Sequence, residues 1–286
     1  MYFFAILFCV SLAMTLQGVS TGPTNDNYGI PRKIWQTYRY KELPRPAEEA
    51  RATWINQNPN YEYHFMDDID IENYILNIWD AETYEFFRSF PIGVMKADLW
   101  RYLIIADQGG VYTDIDSVCS LPIDYWTALL GPLNKIETGK PLLFIGLENE
   151  CVLCQWTIMA TPKHPAMEFA RKYIVDKWQK NRDLCSGGFV MSVTGPVVWS
   201  SAMMKYLGEP ESTCASIIWN KYNSDKSYKQ KINDLGVYLL SDQFYNGFAL
   251  VHLNGSAKFG EGYISWLQES YLYKSMKKLE KLEELE

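Results

Sequence analysis

Of the six charged side chains in the stretch Met95 to Asp116, Asp98, Arg101, Asp114 and Asp116 have types and spacing that suit work on a polar, anionic ligand. Asp98 and Arg101 are three residues apart, one turn of a helix, so they share a face and can point at one object. Asp114 and Asp116 flank a single residue, and in an extended chain such a pair points to one side. Two hard oxygen ligands on one side suit Mg²⁺ or Mn²⁺, cations that keep coordination positions open for substrate phosphates.

The elements that must position these groups are legible around them. Apolar Met95, Leu99, Tyr102, Leu103 and Ala106 recur at three and four residues, which predicts a helix, and Gly109-Gly110 stops it. Val111 to Thr113 is then a short strand with the aspartates at its carboxyl end, where open α/β sheets bind ligands. Each pair alone has a plainer reading. Asp98 with Arg101 is a common structural ion pair. A bare Asp-x-Asp is weak, and Asp68-Ile69-Asp70 is a second copy. That copy precedes the helical pattern Ile71, Tyr74, Ile75, Ile78 and reads as N-capping and dipole-favoured carboxylates.

The chain has 286 residues, 48% of them hydrophobic, enough for one large core. A net charge of −7 argues against nucleic acid as a general partner. Met1 to Asn25 carries no charged side chain, and Tyr2 to Leu16 is apolar over the length of a signal-peptide core, short for a spanning helix. Gly18-Val19-Ser20 is a cleavage candidate. Residues 1–22 are therefore expected to be a signal peptide or a short signal-anchor, the latter giving membrane association through the N-terminus. Of the six cysteines, Cys9 falls in that leader, leaving Cys119, Cys151, Cys154, Cys185 and Cys214. Disulfides and buried thiols both remain open for these.

Gly29 to Tyr38 reads as the first strand, Pro44 and Pro46 as loop, Glu48 to Asn58 as helix and Tyr61 to Met66 as the next strand. This strand–helix–strand order implies a parallel crossover. Asp67 to Trp79 and Ala81 to Phe87 read as helices, Leu142 to Leu147 as a buried strand, Glu168 to Trp178 as a helix and Val237 to Leu240 as a late strand. His164 and Trp35 are expected to be structural. Ser186-Gly187-Gly188 reads as a flexible loop, Phe244 to Gly247 as a turn, and residues from Glu269 as a terminal amphipathic helix.

Ala97-Asp98-x-x-Arg101-Tyr102 followed by Gly109-Gly110-Val111-Tyr112-x-Asp114-x-Asp116 resembles the signature of the DXD sugar-binding glycosyltransferases. These include fungal inositol-phosphorylceramide and initiating α-mannosyltransferases, α-1,4-galactosyltransferases and the clostridial glucosylating toxins. Pro31-x-x-Ile34-Trp35-Gln36-Thr37-Tyr38 is similar to the family's opening strand, Val193-Thr194-Gly195-Pro196 to its turn into a helix, and His252 to Lys258 to its late His-x-x-Gly patch. Ala257 stands where the family carries Trp.

The resemblance implies an α/β GT-A nucleotide-diphospho-sugar transferase fold, a Rossmann-like mixed sheet flanked by helices, over residues 29–268, with residues 269–286 appended. It implies a metal-dependent, retaining transfer of mannose, galactose or glucose from a GDP- or UDP-hexose to a glycan or glycolipid acceptor. By the same resemblance Asp98, Arg101, Asp114 and Asp116 are catalytic. The donor is held by Gln36, Thr37, Tyr38, Ala97, Asp98, Arg101, Tyr102, Asp114, Gly255 and Lys258, and Mn²⁺ or Mg²⁺ by Asp114, Asp116 and His252. The leader, for its part, implies the secretory pathway, in the Golgi or ER lumen, with secretion as the alternative. Two other classes are weighed beside it: an inactive carbohydrate-binding relative, given Ala257, and a haloacid-dehalogenase-type phosphatase. The second resembles Val111 to Val118 but needs paired aspartates later in the chain, and none follows Asp116.

Overall fold

In a computed structural model of the chain, residues 29–126, 139–181, 189–240 and 250–252 are described. The expected leader, the 186–188 loop, the 244–247 turn, Gly255, Ala257, Lys258 and the terminal helix lie outside them.

Strands β1 (Lys33–Thr37) and β2 (Glu62–Met66) pair in parallel across helix α1 (Arg45–Gln57), the crossover that the strand–helix–strand pattern implies. The helix begins earlier than expected. Pro44 is its N-cap and Pro46 sits in its first turn, where no amide donor is needed, so these prolines start the helix and do not mark a loop. Helix α2 (Asp68–Ile78) opens on a capping box: Asp67 accepts from the Asp70 amide, and the Asp70 carboxylate accepts from the Asp67 amide. Helix α3 (Ala81–Arg88) is capped by Asp80, which accepts from the Thr83 amide.

Helix α4 (Gly93–Gln108) is more deeply set than a three-and-four repeat requires. Every residue from Asp98 to Ala106 is buried, so the helix is enclosed on all sides. It ends at Gly109 (φ 64°) and Gly110 (φ 93°), and strand β3 (Gly110–Thr113) comes directly after. A Cβ on Gly110 would lie 2.5 Å from the Lys33 carbonyl oxygen, so only glycine lets β3 approach β1 this closely.

The chain continues through β4 (Ser117–Cys119), α5 (Ile123–Trp126), β5 (Leu143–Gly146) and β6 (Thr157–Ala160). Helices α6 (Pro165–Asn181), α7 (Phe189–Val193), α8 (Pro196–Tyr206), α9 (Ala215–Ser224) and α10 (Lys226–Asp234) come next, then β7 (Val237–Leu240) and β8 (Leu250–His252). The main sheet has the order β2-β1-β3-β6-β5-β7. β6 runs antiparallel to both neighbours, whereas β2, β1 and β3 are mutually parallel, as are β5 and β7. β4 and β8 form a separate antiparallel pair.

Period-two alternation assigns the strand side chains to two layers. Trp35, Tyr112, Leu143, Ile145 and Ile158 face the layer filled by α4, α6 and α8. Ile34, Val111, Phe144 and Met159 face the other, where Trp54 of α1 packs. The result is a mixed α/β sheet flanked by helices. Among the described residues, no helix is long and apolar enough to cross a membrane.

Several residues expected to be structural are so. Trp35 donates from Nε1 to the Gly109 carbonyl at 3.0 Å and stacks on His64. His164 is fully buried at the start of α6, and its Nδ1 accepts from the Ala166 amide at 3.1 Å. Burial pushes its imidazole down to about 4, so it is neutral.

Candidate metal and donor site

Asp114 and Asp116 come together by a route other than the one the strand pattern suggests. β3 ends at Thr113, Ile115 and Asp116 form a turn, and the Ser117 amide closes it by donating to the Asp114 carbonyl at 3.1 Å. Strand alternation therefore does not align the two carboxylates; the turn does, by folding Asp116 back as β4 begins. β4 then pairs with β8 so that Ser117 lies opposite His252, which brings the late histidine beside Asp116. His252 Nε2 is 3.3 Å from Asp116 Oδ1, and ligand atoms of Asp114, Asp116 and His252 all lie within 4.8 Å of one another. Trp156 supports the imidazole, its ring centroid 4.7 Å away.

Beneath this trio lies a buried ion-pair chain. Arg101 donates to Asp98 at 3.0 Å and to Asp114 Oδ1 at 2.9 Å. Tyr112 donates to the same Asp114 oxygen at 2.8 Å, and the Arg101 guanidinium lies over its ring, 5.1 Å from the centroid. Neither bond uses the second oxygen of Asp114. Asp98 is held further by Gln155 Nε2 at 3.1 Å and by the Thr194 hydroxyl at 2.8 Å. Tyr102 donates to Gln155 Oε1 and to the Thr194 carbonyl. Apart from Arg101 Nε, which is buried without a partner, these polar groups answer one another, as groups removed from water must.

Exposure separates two tiers. The Asp98 and Arg101 side chains are 2% and 4% exposed, whereas those of Asp114, Asp116 and His252 keep 26%, 20% and 19%. Burial pushes the Asp98 carboxyl up to about 6, with Arg101 and then the Thr194 hydroxyl drawing it back. Burial also raises Asp114 and Asp116 adds to it, while Arg101 pulls the other way. Glu148, just past β5, is raised by burial and drawn down by His252. Burial thus raises Asp98, Asp114 and Glu148 while neighbouring cationic groups draw them back, so further positive charge beside them would be favoured.

The donor set itself tests the fit of a cation: two carboxylates and an imidazole are ligands that Mn²⁺ accepts and Mg²⁺ tolerates less readily. Asp114, Asp116 and His252 would hold it.

The remaining expected donor residues divide. Gln36 is fully buried; its Nε2 donates to the Asp114 carbonyl at 3.1 Å, and its Oε1 accepts from Tyr63 at 2.6 Å. Thr37 donates to the Met66 carbonyl at 2.7 Å. Tyr102 is fully buried against Gln155 and Thr194. Gln36 and Tyr102 thus support the site from behind, while Thr37 ties β1 to β2. Ala97 and Tyr38 are partly exposed. Gln155, Trp156 and the Thr194 side chain join the site without having been singled out for it in the sequence. Tyr112 joins it too, with a local signal in its place two residues before Asp114. Gln155 and Thr194 reach Asp98 from elements distant in sequence, which spacing cannot reveal.

Fold and site together define a mixed α/β protein with a carboxylate–histidine cluster at the carboxyl end of a central strand, above a buried Asp–Arg pair. Residues 44–130 match the family described as the glycosyltransferase sugar-binding region containing DXD motif. It is similar to the initiation-specific alpha-1,6-mannosyltransferase of Candida albicans, with 27% identity over 213 residues, 65% of this chain and 55% of that protein. It is also similar to inositol phosphoceramide mannosyltransferase 2 of Schizosaccharomyces pombe, with 28% identity over 183 residues, 62% of this chain and 47% of that protein. The chain thus spans about half the length of the curated relatives it matches. Among solved structures, the PaToxG glycosyltransferase overlays with a TM-score of 0.44 at 16% identity, covering 73% of this chain and 79% of that one.

Proposed function

We propose that this chain is a metal-dependent glycosyltransferase. It moves a hexose, mannose before galactose or glucose, from a GDP- or UDP-sugar to a glycan or glycolipid acceptor. Transfer retains anomeric configuration and gives an α-linkage. The observation that carries the reading is the convergence of Asp114, Asp116 and His252 within 4.8 Å, directly above the Asp98–Arg101 pair. The names of the similar fungal proteins favour mannose.

When bound, Mn²⁺ or Mg²⁺ supplies Lewis-acid stabilisation of the charge on a departing nucleoside diphosphate. The protein's own groups do the rest. Asp116 and His252 anchor one edge of the donor site. Asp114 is fixed by Arg101 and Tyr112, so its free oxygen is aimed before the donor arrives, which spares reorganisation during reaction. Asp98 and Arg101 form the floor under the sugar and read its hydroxyls, and Gln155 and Thr194 hold that floor rigid. Gly255 and Lys258 are assigned to the diphosphate. No side chain is assigned as a covalent nucleophile. We further propose entry to the secretory pathway through residues 1–22.

The test is nucleotide release from a panel of GDP- and UDP-sugars with Mn²⁺, run beside Asp116→Ala. Release from one sugar, abolished in the variant and by chelator, supports the reading and names the donor. Hydrolysis of a generic phosphomonoester with no sugar turned over would replace it with the phosphatase reading, and silence in both assays with the inactive relative.

A further inference from the structure

Between β5 and β6 the chain makes a tight hairpin that the proposed reaction does not use at its tip. Leu147 bridges Leu153, the Glu148 amide donates to the Val152 carbonyl at 3.0 Å, and the Cys154 amide to the Gly146 carbonyl at 2.7 Å. Asn149 Oδ1 accepts from the Cys151 amide at 2.9 Å and the Val152 amide at 3.1 Å, which fixes the turn. One arm of this hairpin then carries Gln155 and Trp156 into the site, and the other carries Glu148.

The tip is docked on the start of α9. Cys214 is the N-cap of that helix, yet its side chain makes no cap bond. The first helical amides are instead satisfied by the hairpin: Ala215 donates to the Cys151 carbonyl at 3.3 Å and Ser216 to the Glu150 carbonyl at 2.9 Å. This backbone contact sets two thiols against each other. Sγ of Cys151 is 2.8 Å from Sγ of Cys214, across 63 residues of sequence. Cys151 is exposed and Cys214 half-buried, so an oxidant can reach them. The other described cysteines differ. Cys119 and Cys154 are buried, and burial pushes the Cys119 thiol up to about 12 and raises that of Cys154 well above its usual value, which suppresses their thiolates.

We propose that Cys151 and Cys214 are a covalent modification site: they close to an intramolecular disulfide by exchange with a disulfide oxidant of the glutathione class. The Cys151 thiolate attacks one oxidant sulfur, forming a mixed disulfide and releasing the first thiolate. The Cys214 thiolate then attacks Cys151 Sγ, forming the Sγ–Sγ bond and expelling the second. The two protons lost by the cysteines pass to the two released thiolates, and the oxidant gains two electrons. The bond would lock the hairpin tip to α9 and so stiffen the arms that hold Glu148, Gln155 and Trp156, without displacing them. It stands whether or not the chain transfers sugars.

The experiment uses the full chain with oxidised glutathione, then native alkylation and peptide mass mapping. The expected result is a cross-linked peptide pair containing Cys151 and Cys214, with both thiols lost to alkylation and regained with dithiothreitol. Reduction should lower Tm by roughly 5–10 °C in the native sequence. The double variant Cys151→Ser, Cys214→Ser should show no such shift. In Cys151→Ser alone, Cys214 should carry glutathione. The proposal is overturned if both thiols stay alkylatable, if Cys151 stops at the glutathione adduct, or if Cys214 is found joined to Cys185 or Cys9.

Discussion

The chain spells Asp-Ile-Asp twice, at residues 68–70 and 114–116, and the two copies do unrelated work. In the first, Asp70 closes the capping box of α2 with Asp67, and Lys41 pairs with Asp70 at the surface. The Asp70 carboxylate is thus engaged by the N-cap amide of its own helix. In the second, a turn after a central strand folds one carboxylate back beside the other, β8 brings His252 alongside, and Arg101 rises from beneath. The same three residues therefore become a cap or a ligand cluster according to the element on their C-terminal side: an amphipathic helix in one case, a strand pair in the other. An Asp-x-Asp carries no chemistry until its neighbours are known.

The sharpest way to break this contrast is at Arg101. Arg101→Met strands two carboxylates, one of them wholly buried, and should cost about 3–5 kcal/mol of stability by urea unfolding. A loss below about 1 kcal/mol would mean that the buried pair does not organise the second copy. Asp114→Asn keeps the shape but removes the charge that Arg101 and Tyr112 fix. Nucleotide release should fall about 10²–10³-fold with near-native unfolding; an unchanged rate would reduce the second copy to the status of the first.

Acid sets the background for both copies through His164. Its folded value, about 4, lies below the ordinary 6.5, so on acidification the unfolded chain takes a proton first. The stability from this group is therefore present above pH 6.5 and lost as pH falls toward 4, by roughly 2–3 kcal/mol. His164→Asn should flatten that part of the pH–stability curve; an unaltered slope would refute it.

The smallest effects belong to the first copy and the N-cap residue before it. Asp67→Ala removes the cap of α2 and should cost about 1 kcal/mol, with nucleotide release unchanged. Asp68→Ala, at an exposed position, should stay within about 0.5 kcal/mol. A loss of turnover in either would erase the distinction between the two copies.

How far the sequence foretells this depends on how local each feature is. The capping of α2, the glycine stop after α4 and the β1–α1–β2 crossover rest on residues within a few positions of each other, and local rules find them. The start of α1 escapes those rules, because Pro46 reads as a breaker unless its place in the first turn is known. Strand alternation predicts the approach of Asp114 and Asp116 but for the wrong reason, since the chain turns at Ile115 and Asp116. Gln155 and Thr194 are invisible as partners of Asp98, since three separate elements meet there. His252 is reached only through the family resemblance, because nothing local announces that β8 will pair with β4.

The central claim is that the second Asp-Ile-Asp, with His252, holds a divalent cation and the first does not. The direct measurement is Mn²⁺ binding monitored by electron paramagnetic resonance, with GDP or UDP present, on the native chain, Asp116→Asn and Asp68→Asn. The account predicts one bound Mn²⁺ in the native chain and in Asp68→Asn, with affinity at least about tenfold weaker in Asp116→Asn. No bound Mn²⁺ in the native chain, or a loss confined to Asp68→Asn, would contradict it.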